Sequence, residues 1–182
     1  MLVTSLMPRA RYHQWANVQL TDFLLKAEQT GTFERHQETR SKVHDVLCRT
    51  MAVDCRWLDR LEGREVDNYV SRFEAMDFAV LLKARSLLDA RLMAAVKRIG
   101  TAAADETVTA SNGIKIGLTA VVRFMLARNQ RQRSHVVGIL SALDMMPPLM
   151  GERLFEARTR KRGGQPSEIS NSIDSPALAA VG

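Results

Sequence analysis

The sequence predicts an all-α protein, a four-helix bundle, and three observations predict it. Apolar residues recur at spacings of three and four over four long stretches. Glycine, proline and threonine punctuate the gaps between those stretches. A single long connection, between the second and third stretches, suits a bundle with one crossover. With 182 residues, 46% of them hydrophobic, the chain fits one domain with an ordinary core.

The first helix starts near Pro8, a favoured opening residue, and runs to Gln29 with Tyr12, Trp15, Ala16, Leu20 and Leu24 inward. Thr30-Gly31-Thr32 ends it. The second spans about Thr39 to Leu61, burying Val43, Val46, Leu47, Thr50, Val53, Trp57 and Leu58, and Gly63 stops it. Arg64 to Glu74 has no clear period and serves as the crossover. The third spans about Ala75 to Ile99, with Phe78, Leu81, Leu82, Arg85, Leu88 and Leu92 inward. Asn112-Gly113 between β-formers, over Val108 to Ile116, predicts a small hairpin. The fourth helix covers Leu118 to Leu143, and Pro147-Pro148 forbids its continuation. A short terminal helix, Leu149 to Ala157, packs across the end. The domain is therefore residues 1–157, and Gly, Ser, Pro and Asn over 158–182 predict a disordered basic and polar tail.

Composition excludes several classes. No apolar run approaches the ~18 residues that cross a bilayer, and Met1 to Arg9 lacks the apolar stretch of a signal peptide, so a cytoplasmic location is expected. The net charge is +6, yet outside the cluster Arg153, Arg158, Arg160, Lys161 and Arg162 the cations are mixed with carboxylates. Only 5% of residues are aromatic and no basic stripe is interleaved with rings, which argues against nucleic acid as a partner. Cys48 and Cys55, seven apart on one helix, would stand about 10 Å apart, beyond disulfide reach. They read as small buried thiols. A catalytic role for Cys48 would need it to face the pocket beside Arg49, where its pKa would fall.

The fourth helix carries a polar gap. Leu118, Val121, Val122 and Met125 form one apolar wall, Val136, Ile139, Leu140 and Leu143 a second, and Arg128, Asn129 and Gln132 lie between them. Charge between two apolar walls predicts a pocket, because an unpaired buried cation is too costly for a plain core.

Four segments together resemble the DinB-like (YfiT-like) helical-bundle family: Ala10-Arg11-Tyr12-His13-Gln14-Trp15-Ala16-Asn17; Ala52 to Gly63 around Cys55-Arg56-Trp57-Leu58; Asp77-Phe78-Ala79 through Leu92; and Arg133-Ser134-His135-Val136 to Pro147-Pro148. The resemblance covers about Arg9 to Pro148. It implies an up-down-down-up topology, a homodimer, and a divalent metal held by three histidines for thiol chemistry. Here those positions align with Arg49, Arg128 and Gln132. Guanidinium groups only donate hydrogen bonds and repel cations, so the resemblance implies no metal and no cofactor at this site. A rearranged site using His44 and His135 is a lesser alternative, since no partner histidine stands at four-residue spacing.

Three arrangements are open for Arg49, Arg128 and Gln132. The arginines grip a small anionic ligand in a fork, with Gln132 assisting. Alternatively, they join an internal salt-bridge network with Asp54, Asp45, Asp22 or Asp89. Or they swing outward and leave Met51 and Met125 to fill the site. No serine–histidine–aspartate set, phosphate-cradling glycine loop or paired-carboxylate signature appears. A non-catalytic anion-binding or interaction protein is the expectation; a metal-dependent thiol S-transferase or isomerase with other ligands is the alternative.

Overall fold

The computed structural model describes residues 6–100 and 106–161 and is helical almost throughout. Its helices are α1 (Leu6–Gln29), α2 (Gln37–Glu62), α3 (Tyr69–Glu74), α4 (Phe78–Ile99), α5 (Leu118–Ser141) and α6 (Glu152–Lys161). A 3-10 turn, Thr32–Arg35, joins α1 to α2, and strands β1 (Thr107–Thr109) and β2 (Lys115–Gly117) precede α5. No helix among the described residues is long and apolar enough to cross a membrane.

The four long helices enclose a common centre. α1 packs against α4 and α5, α2 packs against the same two, and α4 and α5 touch only lightly. The core comes in two parts. One gathers Leu6, Met51, Leu58, Leu88, Leu92, Val122 and Met125; the other gathers Leu20, Leu24, Phe33, Val43, Phe78, Leu82, Val136 and Leu140. The two walls expected on the last long helix thus extend through the whole molecule, and polar side chains lie between them.

Helix ends follow backbone chemistry. Gly63 closes α2 in the left-handed region (φ 70), where a residue without Cβ is unstrained. The expected hairpin forms with Val108 opposite Ile116, and Gly113 takes φ 80 at its tip while the Asn112 side-chain oxygen accepts from the Ile114 N–H.

Some boundaries differ from those the sequence suggests. The crossover is not irregular throughout, for Tyr69 and Phe73, four apart, bury themselves as the short helix α3. α4 starts at Phe78 because Asp77 is extended (ψ 146). α5 stops at Ser141, and Asp144 then turns left-handed (φ 56). α6 begins at Glu152 and continues through Lys161, past the proposed tail boundary at 157/158. Its hold is aromatic: Phe155 packs against Tyr12 (5.9 Å between ring centres) and Trp15 (5.5 Å), and Arg158 stands over Trp15 at 5.7 Å. The rest of the predicted tail, 162–182, lies outside the described residues.

Candidate functional site

Three helices each send a pair of polar side chains to the centre at four-residue spacing, where successive turns share a face. These are His13 and Asn17 on α1, Arg85 and Asp89 on α4, and Asn129 and Arg133 on α5; α2 adds Asp54. All seven are buried. Ionised groups so far from water persist only when paired and hydrogen-bonded.

Arg85 is the hub. Its Nη1 donates to Asp54 Oδ2 (2.6 Å) and Asn129 Oδ1 (3.2 Å), while Nη2 and Nε donate to Asp89 Oδ1 (2.5 and 3.1 Å). Asn129 Nδ2 returns to Asp54 Oδ1 at 2.8 Å and to the Met125 carbonyl at 2.9 Å. Asn17 Nδ2 donates to both oxygens of Asp89, at 2.8 and 2.9 Å. Arg133 enters from the other side, where its Nη1 donates to Asn17 Oδ1 (2.9 Å) and meets His13 Nδ1 at 2.7 Å.

Both ring nitrogens of His13 face donors. A guanidinium has no acceptor, so Nδ1 accepts from Arg133, while Nε2 faces Asn17 Nδ2 (3.0 Å), Arg85 Nη2 (3.3 Å) and Asp89 Oδ1 (3.3 Å). Burial lowers the His13 pKa, and Arg85 and Arg133 add to that against the pull of Asp89. For Asp89 burial acts upward, but Arg85 and the His13 hydrogen bond outweigh it and hold the carboxyl below its ordinary value. Arg85, in contrast, is raised, because its two carboxylates overcome the desolvation.

Arg133 differs from Arg85 in one respect. It is 8% exposed, yet no carboxylate lies within salt-bridge distance among the described residues. Burial lowers its pKa, against a raising effect of Tyr12 beside it, and Nη1 makes its bonds to His13 and Asn17. No buried side-chain nitrogen or oxygen of the described residues lacks a partner, and Arg133 borders accessible space. That space includes a cleft of about 230 Å³ between α1, α5 and the start of α6. Arg133 and His13 form part of its floor, Tyr12, Leu126 and Ala127 its walls, and Arg9, Arg123, Gln130 and Glu152 its rim. The Tyr12 ring lies 5.8 Å from the Arg133 guanidinium and its hydroxyl donates to the Met150 carbonyl (2.7 Å). The arrangement can grip an oxyanion; two guanidinium groups at the centre do not fit a divalent cation. Among the described residues no three His, Cys, Asp or Glu side chains form a group that could hold a metal.

The three residues aligned from sequence do not converge on this cleft. Arg49 projects outward, its side chain 72% exposed, within 3.9 Å of Asp45. Arg128 is half-buried and donates to the Thr50 and Arg49 backbone carbonyls (3.3 and 3.4 Å), so it braces α5 against α2 and does not fork with the Arg49 side chain. Gln132 lines a cavity of about 30 Å³, room for one water, together with Asn17, Arg85 and Asn129. On α5 the inward pair is Asn129 and Arg133, one residue further along than Arg128 and Gln132, and one residue is about 100° of helix. Of the carboxylates weighed, Asp54 and Asp89 reach the centre, paired with Arg85; Asp22 and Asp45 are exposed.

The other candidates are structural. His44 bonds the Met76 carbonyl (3.1 Å) and receives the Cys48 thiol (3.6 Å), whereas His135 is exposed on α5. Burial pushes both Cys48 and Cys55 up to about 12, the opposite of an activated thiolate.

No family model, curated protein or solved structure matches the chain.

Proposed function

We propose that the chain is a DinB-like four-helix bundle, up-down-down-up, whose metal centre has degenerated into a salt-bridged polar core, and that it binds a small anion. Catalysis has no activated group to support it in this reading. One observation carries the binding role: Arg133, deeply buried and without a carboxylate of its own, lines the cleft between α1, α5 and α6 and is held there by His13 and Asn17 through Nη1. Nη1 is held in place by His13 and Asn17, so the guanidinium is oriented before any ligand arrives. An oxyanion on Nε and Nη2 would form two charge-assisted hydrogen bonds in a partly dry site.

A thermal-shift titration with small carboxylates and phosphates tests the role. A ligand at about 100 times its Kd adds about 2.7 kcal/mol, which raises Tm by roughly 5–10 °C in a domain of this size. The shift should vanish in Arg133→Gln. A wild-type protein that no member of the panel stabilises would overturn the reading.

Homodimerisation, which the family resemblance also implies, would draw on Phe124 of α5, exposed and packed edge-on against Trp57 of α2 at 6.1 Å. Sedimentation of the wild type and Phe124→Ser at micromolar concentration tests it.

A further inference from the structure

The cleft has two separate cationic loci. At the floor stands Arg133, fixed by two helices. At the rim stand Arg9 on α1 and Arg123 on α5, both exposed, neither within ion-pair distance of a carboxylate among the described residues. Between floor and rim the Tyr12 ring, Leu126 and Ala127 offer no charge and no free donor, because the Tyr12 hydroxyl is already spent on Met150. A ligand that satisfies both loci therefore carries an oxyanion at each end of a short uncharged body. The rim carboxylate, Glu152, opposes any such ligand and is itself unpaired among the described residues.

A monoanion would satisfy the floor and leave the rim to water. A nucleic-acid duplex would meet the rim arginines but could not reach the floor of a 230 Å³ cleft. Arg85 cannot serve as the second locus, since it is saturated by Asp54, Asp89 and Asn129.

We infer that the ligand of this cleft is a compact dicarboxylate, with one carboxylate on Arg133 and the other between Arg9 and Arg123. The inference rests on the reading of the cleft as an anion site, and the test separates the two. Calorimetric titrations at pH 7.5 and low salt compare succinate with butyrate, and terephthalate with benzoate. At least one dianion should bind tenfold or more tighter than its monoanionic counterpart, and the tighter of the two dianions tells whether the body between the carboxylates is aliphatic or aromatic. The double variant Arg9→Ala, Arg123→Ala changes only exposed side chains, so the fold should persist; it should erase the tenfold gap by weakening the dianion far more than butyrate or benzoate. Glu152→Gln should tighten the dianion several-fold. Equal affinity for dianion and monoanion, with both lost in Arg133→Gln, would overturn the dianion and leave the anion site standing. Failure of all four probes to bind the wild type would overturn both.

Discussion

Two charged clusters lie along α2 and α4, one at the centre and one near the surface, and the same residue types do different work in each. In the outer cluster Asp59, itself buried, accepts from the Tyr69 hydroxyl (2.6 Å) and from Arg91 (2.7 Å), Arg91 also reaches Glu62 (2.9 Å), and Arg64 meets Glu62. The side chains of Glu62 and Arg64 remain 25% and 43% exposed, so water can take over a lost partner there. At the centre Arg85, Asp54 and Asp89 have no such substitute. Pairing at the surface trims energies by tenths of a kcal/mol, whereas pairing at the centre is a condition for the charges to be there at all.

The largest expected effect follows from breaking the central set. Arg85→Met strands Asp54 and Asp89 and should lower the unfolding free energy by about 3–5 kcal/mol in a urea melt. The contrast becomes sharper if the whole set is replaced. Asp54→Leu, Arg85→Met and Asp89→Leu together should recover most of that loss, because apolar side chains of similar volume carry no desolvation penalty. A triple variant as weak as the single one would show that the network's geometry, and not its charge pairing, holds the helices.

The next effect is a pH dependence confined to the centre. His13 is faced by Arg133 from α5, by Arg85 and Asp89 from α4, and by Asn17 of its own helix. Its folded pKa lies below the unfolded 6.5, so the unfolded chain binds the proton first. Its contribution is fully present above about pH 6.5 and shrinks as pH falls through the window between 6.5 and the folded value, by up to about 1.4 kcal/mol per pH unit. Asp89 is depressed in the fold and acts in a separate, more acidic window below its ordinary 3.8. His13→Gln should flatten the slope between pH 6.5 and 5 in stability measurements. An unchanged slope would place the titrating group elsewhere.

Smaller effects belong to the surface cluster. Tyr69→Phe deletes one hydrogen bond to Asp59, which keeps Arg91, and should cost about 1 kcal/mol. Arg64→Ala should change stability by less than about 0.5 kcal/mol, and less still in high salt. A surface loss as large as that of Arg85→Met would erase the distinction between the two clusters.

Much of this was legible in the sequence. Periodicity locates the four long helices, the Asn-Gly hairpin and the polar gap between two apolar walls, and Arg85 is correctly placed inward. Azimuth is what periodicity left open. Arg49 shares an eight-residue spacing with Trp57, but Trp57 packs at the edge against Phe124, and the polar residues of α2 that turn toward the central network are Thr50 and Asp54. Counting from Pro147-Pro148 crosses the non-helical stretch after Ser141, so it misplaces the inner pair of α5 by one. On α1 the aromatic rings of Tyr12 and Trp15 look like core, yet they are half-buried beneath α6; the true inner stripe is Ala10, His13, Asn17, Leu20 and Leu24. Two polar residues on that stripe, read with Asn129 and Arg133 at the same spacing, were the available signal.

The imidazole wedged between Asp89 and Arg133 has a spectroscopic corollary. His13 is only 2% exposed, so exchange of a ring N–H with solvent should be slow enough for a resolved resonance downfield of the amides. Such a line would report from the middle of the molecule without any label, and a bound oxyanion that draws Arg133 outward would move it.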